Sequence, residues 1–333
     1  MALKIAINGF GRIGRCVARI AATRADVEIV AINDMASMDM MLYLLKNDSV
    51  HGTFSSDIEQ IDDNHISIDG HSIRIFSDRN PKNLKFADCG ADMVLECTGV
   101  FLTQESAQVH IDNGVQKVLF SAPSKDTATD TFVMGVNEEN YNGQAIVSNA
   151  SCTTNCLGPV ARVLDDAFGI DKGLMTTIHS YTNDQNILDV KHLKDKRRAR
   201  AGAINMIPTT TGAAKAISLV MPQLKGRLHG QSVRVPTPDV SMVDLNVVVK
   251  RETTKEEVTK VFNEAAQGRL KGLLLMDKEM RVSQDFVGCD YSSIVAEDLT
   301  QVIGGDMVKI MAWYDNEWGY SMRLVDMALH ISK

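Results

Sequence analysis

The chain has 333 residues, of which 44% are hydrophobic and 23% charged; these are the proportions of a globular protein rather than a disordered or fibrous one. At about 150 residues a domain, this length predicts two domains. The net charge of −7 argues against a dedicated nucleic-acid binder, and no apolar run approaches the roughly 18 residues that a membrane-spanning helix needs.

The first 150 residues alternate short apolar runs with a helical pattern. Ile13, Val17 and Ile20 recur at helical spacing, which predicts a helix over Arg12–Ala22. Strands are predicted over Leu3–Asn8, Val27–Asn33, Met93–Thr98, Lys117–Ser121 and Ala145–Val147, with an inserted hairpin over His65–Phe76 that turns at Asp69-Gly70. The alternation favours a parallel sheet with helices on both of its faces.

After residue 150 the apolar runs become longer and alternate. Gly173–Ser180, Gly230–Pro236 and Val240–Lys250 suit an antiparallel sheet with one covered face. Thr254 followed by Glu257 has the spacing of a capping box, so a helix is expected to begin there. A last helix is predicted over Trp318–Ile331. The second half therefore reads as an α+β domain with a mainly antiparallel sheet.

A glycine-rich loop follows the first predicted strand and opens the first predicted helix. Gly9, Gly11 and Gly14 form the pattern G-x-G-x-x-G. Asp34 stands at the end of the next predicted strand, 20 residues after Gly14. These glycines permit a tight turn, close approach to a pyrophosphate and close packing of helix on strand. Asp34 would accept hydrogen bonds from a ribose 2′-hydroxyl and repel a 2′-phosphate. The first half is thus predicted to be an α/β Rossmann dinucleotide-binding domain that prefers NAD to NADP.

Six cysteines are too few for a disulfide scaffold, and they indicate a reduced, cytoplasmic protein. Because a strand-like run begins already at Leu3, no cleaved signal peptide is expected. Only Cys152 and Cys156 lie close together, one helical turn apart. No third or fourth ligand stands at metal-like spacing, so no metal site is predicted, and Cys156 is expected to face the core.

Cys152 is predicted to lie in the first turn of a helix. The segment Ser148–Cys156 leads into an apolar helical run that ends near Gly169, and Asn149 or Ser151 suits the N-cap. About 3% of an ordinary thiol is ionised at neutral pH, whereas a helix N-terminus and a neighbouring imidazolium bring the pKa of a cysteine down to roughly 3.5–7.5. We therefore expect a reactive thiolate at Cys152.

His179 is the candidate base, because it ends an apolar strand and precedes a polar loop. The remaining histidines stand in polar or surface-like contexts: His51, His65, His71, His110, His192, His229 and His330.

Together these motifs resemble glyceraldehyde-3-phosphate dehydrogenase, over a match that runs from residue 3 to the C-terminus. The segments that carry the resemblance are Asn8–Arg15, Ser148–Cys156, His179–Thr182, Thr209–Lys215, Arg234–Pro236 and Trp313–Tyr320. The resemblance implies a homotetramer of glycolysis or gluconeogenesis. Its reaction would be the reversible oxidative phosphorylation of glyceraldehyde 3-phosphate to 1,3-bisphosphoglycerate, with inorganic phosphate as second substrate and NAD reduced.

The resemblance also implies roles for individual residues. Cys152 would attack the aldehyde and His179 would move protons. One phosphate site would involve Thr182 and Arg234, and the other Ser151, Thr211 and Gly212, with Thr153 lining the pocket. Cofactor contacts are implied for Gly9, Gly11, Arg12, Ile13, Gly14, Asp34, Arg79, Ser121 and Asn316. The domains would be 1–150, completed by the C-terminal segment 316–333, and 151–315.

Three alternatives stay open. NAD-preferring relatives usually carry a proline after the Ile-Leu-Asp element, where this chain has Val190 and Lys191, so NADP use is also expected. Erythrose-4-phosphate dehydrogenase shares the Cys and His elements but, as we read that branch, lacks the Thr209–Gly212 segment. The basic segment Lys191–Arg200 could instead contact a nucleic acid or a surface, although an intersubunit loop that attracts anions is the favoured interpretation.

Overall fold

The computed structural model describes residues 2–193 and 195–333, with Ala214 described by its backbone alone. The chain divides into two units. Unit 1 holds residues 1–132, 138–150 and 321–333, and unit 2 holds residues 133–137 and 151–320. Within the described ranges, no helix has both the length and the apolar character needed to cross a membrane.

Unit 1 follows the predicted alternation of strands and helices. Its elements are β1 (Leu3–Asn8), α1 (Arg12–Ala21), β2 (Val27–Asn33), α2 (Met38–Lys46), β3 (Asn47–Asp48), β4 (Gly52–Thr53), β5 (Ile58–Asp62), β6 (His65–Ile68), β7 (His71–Phe76), β8 (Met93–Glu96), α3 (Gln104–Asp112), β9 (Lys117–Phe120), β10 (Asp130–Thr131) and β11 (Ile146–Ser148). The predicted strands and the first helix are confirmed to within two residues. The hairpin is also confirmed, and it turns with positive φ at Asp69 and Gly70.

A nine-stranded sheet in the order β10-β11-β9-β8-β1-β2-β7-β6-β5 forms the centre of unit 1. The pairs from β10 to β7 are parallel, while β5, β6 and β7 pair antiparallel. The chain proceeds from β1 through β2 to β7 on one side and from β8 through β9 to β11 on the other. The winding thus reverses between β1 and β8, where open α/β sheets bind ligands at the carboxyl ends of their strands.

Unit 2 is built on a second sheet. Its elements are α4 (Cys152–Phe168), β12 (Ile170–Ser180), β13 (Ile207–Thr210), α5 (Ala213–Val220), β14 (Leu228–Val235), β15 (Ser241–Val249), α6 (Lys255–Gln267), β16 (Leu274–Asp277), β17 (Ser293–Ala296), β18 (Gln301–Ile303) and β19 (Met307–Tyr314), and the chain ends with α7 (Trp318–Ile331). The predicted start of α6 is confirmed, since the Thr254 hydroxyl accepts from the Glu257 N–H. The last helix has the predicted bounds, and its residues from Ser321 onward belong to unit 1.

The second sheet is mainly antiparallel, as predicted. Its strand order is β13-β14-β12-β15-β19-β17-β16, and β18 pairs with β19. Two pairs are parallel instead, β12 with β14 and β16 with β17. Alternation along a strand indicates which residues share a face but says nothing about strand direction, so these parallel pairs were not predicted. The parallel register places His179 beside Arg234.

Candidate active site

Cys152 is the first residue of α4. Ser151 is the N-cap, and its hydroxyl accepts a hydrogen bond from the Thr154 N–H at 3.1 Å. Ala150, just before it, is fully buried with φ +56°, a conformation that costs energy in a residue with a side chain and that clusters at functional sites. The helix therefore presents Cys152 at its positive end, in a position that the entering backbone fixes.

His179 reaches Cys152 from the end of β12. Its Nε2 lies 3.6 Å from the Cys152 Sγ, and its Nδ1 lies 2.8 Å from the carbonyl oxygen of Ser180. The imidazole is 4% exposed and contacts the edge of the Tyr314 ring, with the ring centroids 5.9 Å apart. The structure thus brings the candidate nucleophile and the candidate base within proton-transfer distance. Cys156, one turn along the helix, is fully buried as predicted.

One expectation about the other histidines was wrong. His110 is fully buried rather than in a polar surface context, and it stacks on Phe86 with the ring centroids 5.9 Å apart. Its Nε2 lies 3.7 Å from the Glu96 carboxylate, which is also fully buried. The polar neighbours of His110 in the sequence lie on the exposed face of α3. His110 lies on the buried face of that helix.

The pKa shifts of the pair oppose the sequence-based expectation of a thiolate. Burial raises the pKa of the Cys152 thiol, against an opposing effect of the Arg234 charge. Burial, followed by the Arg234 charge, lowers the pKa of His179 to about 3. Desolvation of Sγ outweighs the Arg234 charge and the hydrogen bonds from Thr153, and the guanidinium disfavours an imidazolium beside it. The two pKa shifts therefore favour a thiol next to a neutral imidazole, whose Nε2 can act as a general base when the ring proton is on Nδ1.

Arg234 supplies positive charge at the same place. Its Nη1 donates to the Ser180 carbonyl at 3.0 Å and lies 2.5 Å from the His179 Nδ1. Its Nε is buried without a hydrogen-bond partner, and no carboxylate forms an ion pair with it in the part of the chain that the structure describes. A half-buried cation whose buried Nε has an unsatisfied donor suits an anionic ligand.

The other predicted phosphate-site residues lie on elements next to Arg234. Thr182 follows the end of β12, and its N–H donates to the Gln185 side chain at 2.9 Å. Thr211 follows β13, which pairs with β14, the strand of Arg234. The Thr211 hydroxyl accepts from the Ala213 N–H at 3.2 Å, and Gly212 precedes α5 with its backbone exposed. Thr153 is buried, with its hydroxyl 2.9 Å from that of Tyr314.

Two residues of this site were not singled out from the sequence. Arg198 donates to the Thr209 hydroxyl at 2.7 Å, to the Thr210 carbonyl at 3.2 Å and to Asp184 at 2.6 Å. The first two bonds connect the loop that carries Arg198 to β13. Tyr314 joins Thr153 to Thr177 through its hydroxyl. Arg198 stands in the basic segment noted above, but its partners are distant along the chain and become visible only in the fold.

Asn316 follows β19 within unit 2 and is 7% exposed. Its side-chain oxygen accepts from the Ser241 hydroxyl at 2.6 Å and lies 3.0 Å from the Ser180 hydroxyl. No described residue accepts a hydrogen bond from its NH2 group. Asn316 thus presents two unused donors.

In unit 1 the glycine loop has the predicted construction. Gly9 has φ +97°, and a Cβ there would lie 2.8 Å from the carbonyl carbon of Cys97. A Cβ at Gly14 would overlap the carbonyl oxygen of Gly9. A Cβ at Gly11 would meet nothing within 4 Å, so this position opens onto free space through which a ligand can approach the backbone.

Asp34 is tied directly to the loop. Its carboxylate accepts from the Phe10 N–H at 2.7 Å and from the Ala36 N–H at 2.9 Å, which fixes its orientation. A cavity of about 490 Å³ at this place is lined in part by Gly9, Gly11, Asp34, Met35, Arg79 and Phe101. Asp78 also lines it, and its size, its apolar walls and the ordered Asp34 carboxylate fit the adenosine part of a dinucleotide.

The remaining predicted cofactor residues occupy the same unit. Arg12 and Ile13 begin α1, and the Arg12 guanidinium forms an ion pair with Asp48. Ser121 follows β9, and its hydroxyl donates to the Glu96 carbonyl at 3.0 Å.

Comparisons with known proteins agree with this geometry. Residues 3–104 match the family model "Glyceraldehyde 3-phosphate dehydrogenase, NAD binding domain", and residues 151–316 match "Glyceraldehyde 3-phosphate dehydrogenase, C-terminal domain". The chain is 50% identical over its whole length to glyceraldehyde-3-phosphate dehydrogenase of Geobacillus stearothermophilus, covering 99% of that protein. It is 53% identical to the chloroplastic glyceraldehyde-3-phosphate dehydrogenase A of Chlamydomonas reinhardtii, covering 98% of this chain and 88% of that one. The chain belongs to the glyceraldehyde-3-phosphate dehydrogenase family.

Proposed function

We propose that the protein oxidises glyceraldehyde 3-phosphate with NAD and inorganic phosphate to 1,3-bisphosphoglycerate, reversibly, through a thioester on Cys152. The observation that carries this proposal is the contact of the Cys152 Sγ with the His179 Nε2 at 3.6 Å, beside an arginine whose Nε lacks a partner. A nucleophile, a base and an anion site adjoin one another, as acyl transfer between phosphorylated molecules requires.

The first step is addition of the thiol to the aldehyde. The neutral His179 takes the thiol proton at Nε2 while the sulfur forms a bond to the aldehyde carbon. The aldehyde oxygen gains the electron pair of the broken π-bond and then takes the proton back from His179. The backbone N–H groups at the start of α4 stabilise the developing oxyanion. The product is a thiohemiacetal on Cys152.

The second step oxidises this carbon by two electrons. His179 removes the hydroxyl proton as the C–H bond breaks and the C=O double bond forms, which leaves a thioester on Cys152 and an imidazolium. NAD, when bound, supplies the acceptor for the hydride. The imidazolium lies beside the Arg234 guanidinium and is therefore a strong acid, ready to return its proton.

The third step transfers the acyl group. A phosphate oxygen attacks the thioester carbon, the bond from carbon to sulfur breaks, and His179 protonates the departing sulfur. We assign Arg234 and Thr182 to one phosphate group and Ser151, Thr211 and Gly212 to the other, with Thr153 lining the pocket. The assignment is supported by the absence of a partner for the Arg234 Nε. It is also supported by the positions of Thr182 and Thr211, which follow the two strands that pair with β14, the strand of Arg234.

For the cofactor, we assign the pyrophosphate to the loop Gly9–Gly14 with the first N–H groups of α1, including those of Arg12 and Ile13. Asp34 and Arg79 are assigned to the adenosine end, and Asn316 is assigned to the nicotinamide. Ser121 is assigned to the cofactor contacts of unit 1. The open face of Gly11 and the ordered Asp34 support these roles. NAD is the expected substrate, with some use of NADP through Lys191. The expected cofactor domain, 1–150 with 316–333, corresponds to unit 1 except for residues 133–137 and 316–320, which belong to unit 2 with the expected catalytic domain, 151–315.

A cytoplasmic homotetramer is the form we propose. All six cysteines are free, which suits a reducing compartment. Large apolar side chains are exposed in the loop around the basic segment, including Ile187 at 79%, Leu188 at 76% and Leu193 at 93%, and exposed apolar groups of this kind mark interaction surfaces.

The nucleic-acid alternative loses support from the ion pairs of the basic segment. Arg198 pairs with Asp184 and Asp195, and Arg200 pairs with Asp189. Each pair reduces the charge available to a phosphate backbone. Lys194, which contributes to this prediction, lies outside the described residues.

Cofactor reduction with and without inorganic phosphate tests the proposed function. Absorbance of NADH should rise rapidly with glyceraldehyde 3-phosphate plus phosphate. Omission of phosphate should limit the product to about one NADH per active site, since the thioester then accumulates. A higher kcat/KM with erythrose 4-phosphate than with glyceraldehyde 3-phosphate would assign the chain to the alternative activity instead.

A further inference from the structure

We infer that Ser241 is a positioning residue for the cofactor, because it binds the side-chain oxygen of Asn316 and so leaves the NH2 group of that amide as the part that would be offered to a nicotinamide carboxamide. This inference rests on the proposed assignment of Asn316 to the nicotinamide. It adds a residue that touches neither substrate nor cofactor and acts through Asn316.

The hydrogen bonds around Ser241 leave its proton one good acceptor. Ser241 Oγ accepts from the backbone N–H of Ser180 at 3.1 Å and donates to Asn316 Oδ1 at 2.6 Å. Ser241 is 1% exposed, so water does not compete for these bonds. The amide oxygen is therefore bound on the protein side.

Ser180 is the weaker of the two hydroxyl donors. Its Oγ lies 3.0 Å from Asn316 Oδ1 and also 3.0 Å from the carbonyl oxygen of Val240. A hydroxyl has one proton, so Ser180 serves only one of these acceptors at a time. Ser241 alone is committed to the amide.

Turning the amide over would replace Oδ1 with a donor. The Ser241 proton would then face an NH2 group, and its only other acceptor is Ser180 Oγ at 3.3 Å. The Ser241 proton would thus exchange a bond of 2.6 Å for one of 3.3 Å, so the observed orientation is favoured. In that orientation the NH2 group has no partner among the described residues and remains available to a carboxamide oxygen.

The backbone before Ser241 supports the same conclusion. Val240 has φ +62°, an outlier for a β-branched residue, and it is 3% exposed. Strain of this kind persists only where the surrounding structure enforces it, and it concentrates at ligand sites. Here the strained turn sets the direction in which Ser241 leaves the backbone.

Binding measurements on Ser241→Ala test the inference without recourse to turnover. The dissociation constants of NAD and of ADP-ribose, which lacks the nicotinamide, are measured by calorimetry. Ser241→Ala should weaken NAD binding about 3- to 10-fold through loss of one buried hydrogen bond and leave ADP-ribose unchanged. An unchanged melting temperature shows that the variant is folded. Ser241→Cys, which keeps a weak donor, should fall between Ser241→Ala and the wild type.

Two further variants make the result specific. Ser293→Ala is the matched control, because Ser293 is fully buried in the same sheet and donates to the Cys156 carbonyl instead, and its NAD binding should equal that of the wild type. Asn316→Ala should itself lower the preference for NAD over ADP-ribose, and adding Ser241→Ala to it should cause no further loss.

The outcomes separate the inference from the proposed function. If Asn316→Ala lowers the preference for NAD and Ser241→Ala does not, the role of Ser241 is refuted while that of Asn316 stands. If Asn316→Ala leaves the preference unchanged, the nicotinamide assignment is wrong and the inference falls with it. Additive losses in the double variant also contradict the inference, since they mean that Ser241 acts independently of Asn316.

Discussion

Arg234 and His179 are in direct contact, with the guanidinium Nη1 2.5 Å from the imidazole Nδ1. The same Nδ1 lies 2.8 Å from the Ser180 carbonyl. A guanidinium only donates and a carbonyl only accepts, so Nδ1 serves one of them at a time. An anion that draws Arg234 away leaves Nδ1 to donate to Ser180 and gives Nε2 the free lone pair that the proposed base requires.

Arg234→Gln should raise the pKa of His179 from about 3. Burial, the larger cause, remains, so the pKa should stay below its ordinary value of about 6.5. A titration of isotope-labelled His179 by NMR measures this change. Arg197→Gln removes an exposed arginine and serves as the control. An unchanged His179 pKa in Arg234→Gln would refute the electrostatic link between the two side chains.

The same variant tests the phosphate assignment. Loss of one charge-assisted contact should lower kcat/KM for glyceraldehyde 3-phosphate by about 10- to 100-fold. Glyceraldehyde, which lacks the phosphate, should lose far less. Equal losses with both substrates would mean that Arg234 acts on His179 and not on the substrate phosphate.

His179 also makes stability depend on pH. Its pKa is lowered in the folded protein, so between pH 6.5 and about 3 the unfolded chain binds a proton that the folded chain does not. The stabilisation is complete above pH 6.5 and is lost as the pH falls. Over 1.5 pH units it amounts to about 2 kcal/mol, at about 1.4 kcal/mol per unit.

Urea unfolding at pH 6 and pH 4.5 measures this dependence. His179→Gln should reduce the loss of unfolding free energy between these pH values by roughly 2 kcal/mol. The exposed His71→Gln is the control and should behave like the wild type. Equal slopes in the His179 variant and the wild type would show that the imidazole is not held neutral in the folded protein.

The glycine loop offers a matched pair of substitutions. Gly14→Ala should destabilise the protein, because its Cβ would overlap the Gly9 carbonyl oxygen. Gly11→Ala should leave the melting temperature almost unchanged, because nothing lies within 4 Å of its Cβ, and yet weaken NAD binding by at least about tenfold. Full NAD affinity in Gly11→Ala would mean that the pyrophosphate does not approach this part of the backbone.

Much of the fold could be predicted from the sequence, because short-range patterns specify it. The bounds of the last helix and the turn at Asp69-Gly70 follow from helical periodicity and from residues that tolerate positive φ. The parallel pairing that places His179 beside Arg234 depends on contacts between distant segments, which no local pattern encodes.

The site was only partly predictable for a related reason. Cys152 and His179 were identified from residue type and local position, but the sequence-based account assumed a thiolate. Whether a thiol ionises depends on how far its sulfur is desolvated and on which charges surround it, both of which are tertiary properties. Ser241 likewise has no motif of its own, and its role becomes visible only through the Asn316 amide.

Asp34 should determine the choice of cofactor. Its carboxylate is held by the Phe10 and Ala36 N–H groups, so it cannot turn away from a 2′-phosphate. Asp34→Asn should raise the ratio of kcat/KM for NADP to that for NAD by about 10- to 100-fold through loss of the negative charge. Lys191→Ala should lower the same ratio. A wild-type enzyme that prefers NADP would overturn this account of Asp34.

The measurement that tests the central claim most directly is NADH formation by Cys152→Ser with glyceraldehyde 3-phosphate and inorganic phosphate. Cys156→Ser is the control, since Cys156 lies one turn along α4 with its sulfur in the core. The account predicts that Cys156→Ser remains active while Cys152→Ser loses at least about 10³-fold in kcat, because a serine hydroxyl forms no thioester. Activity near the wild-type level in Cys152→Ser would contradict the mechanism.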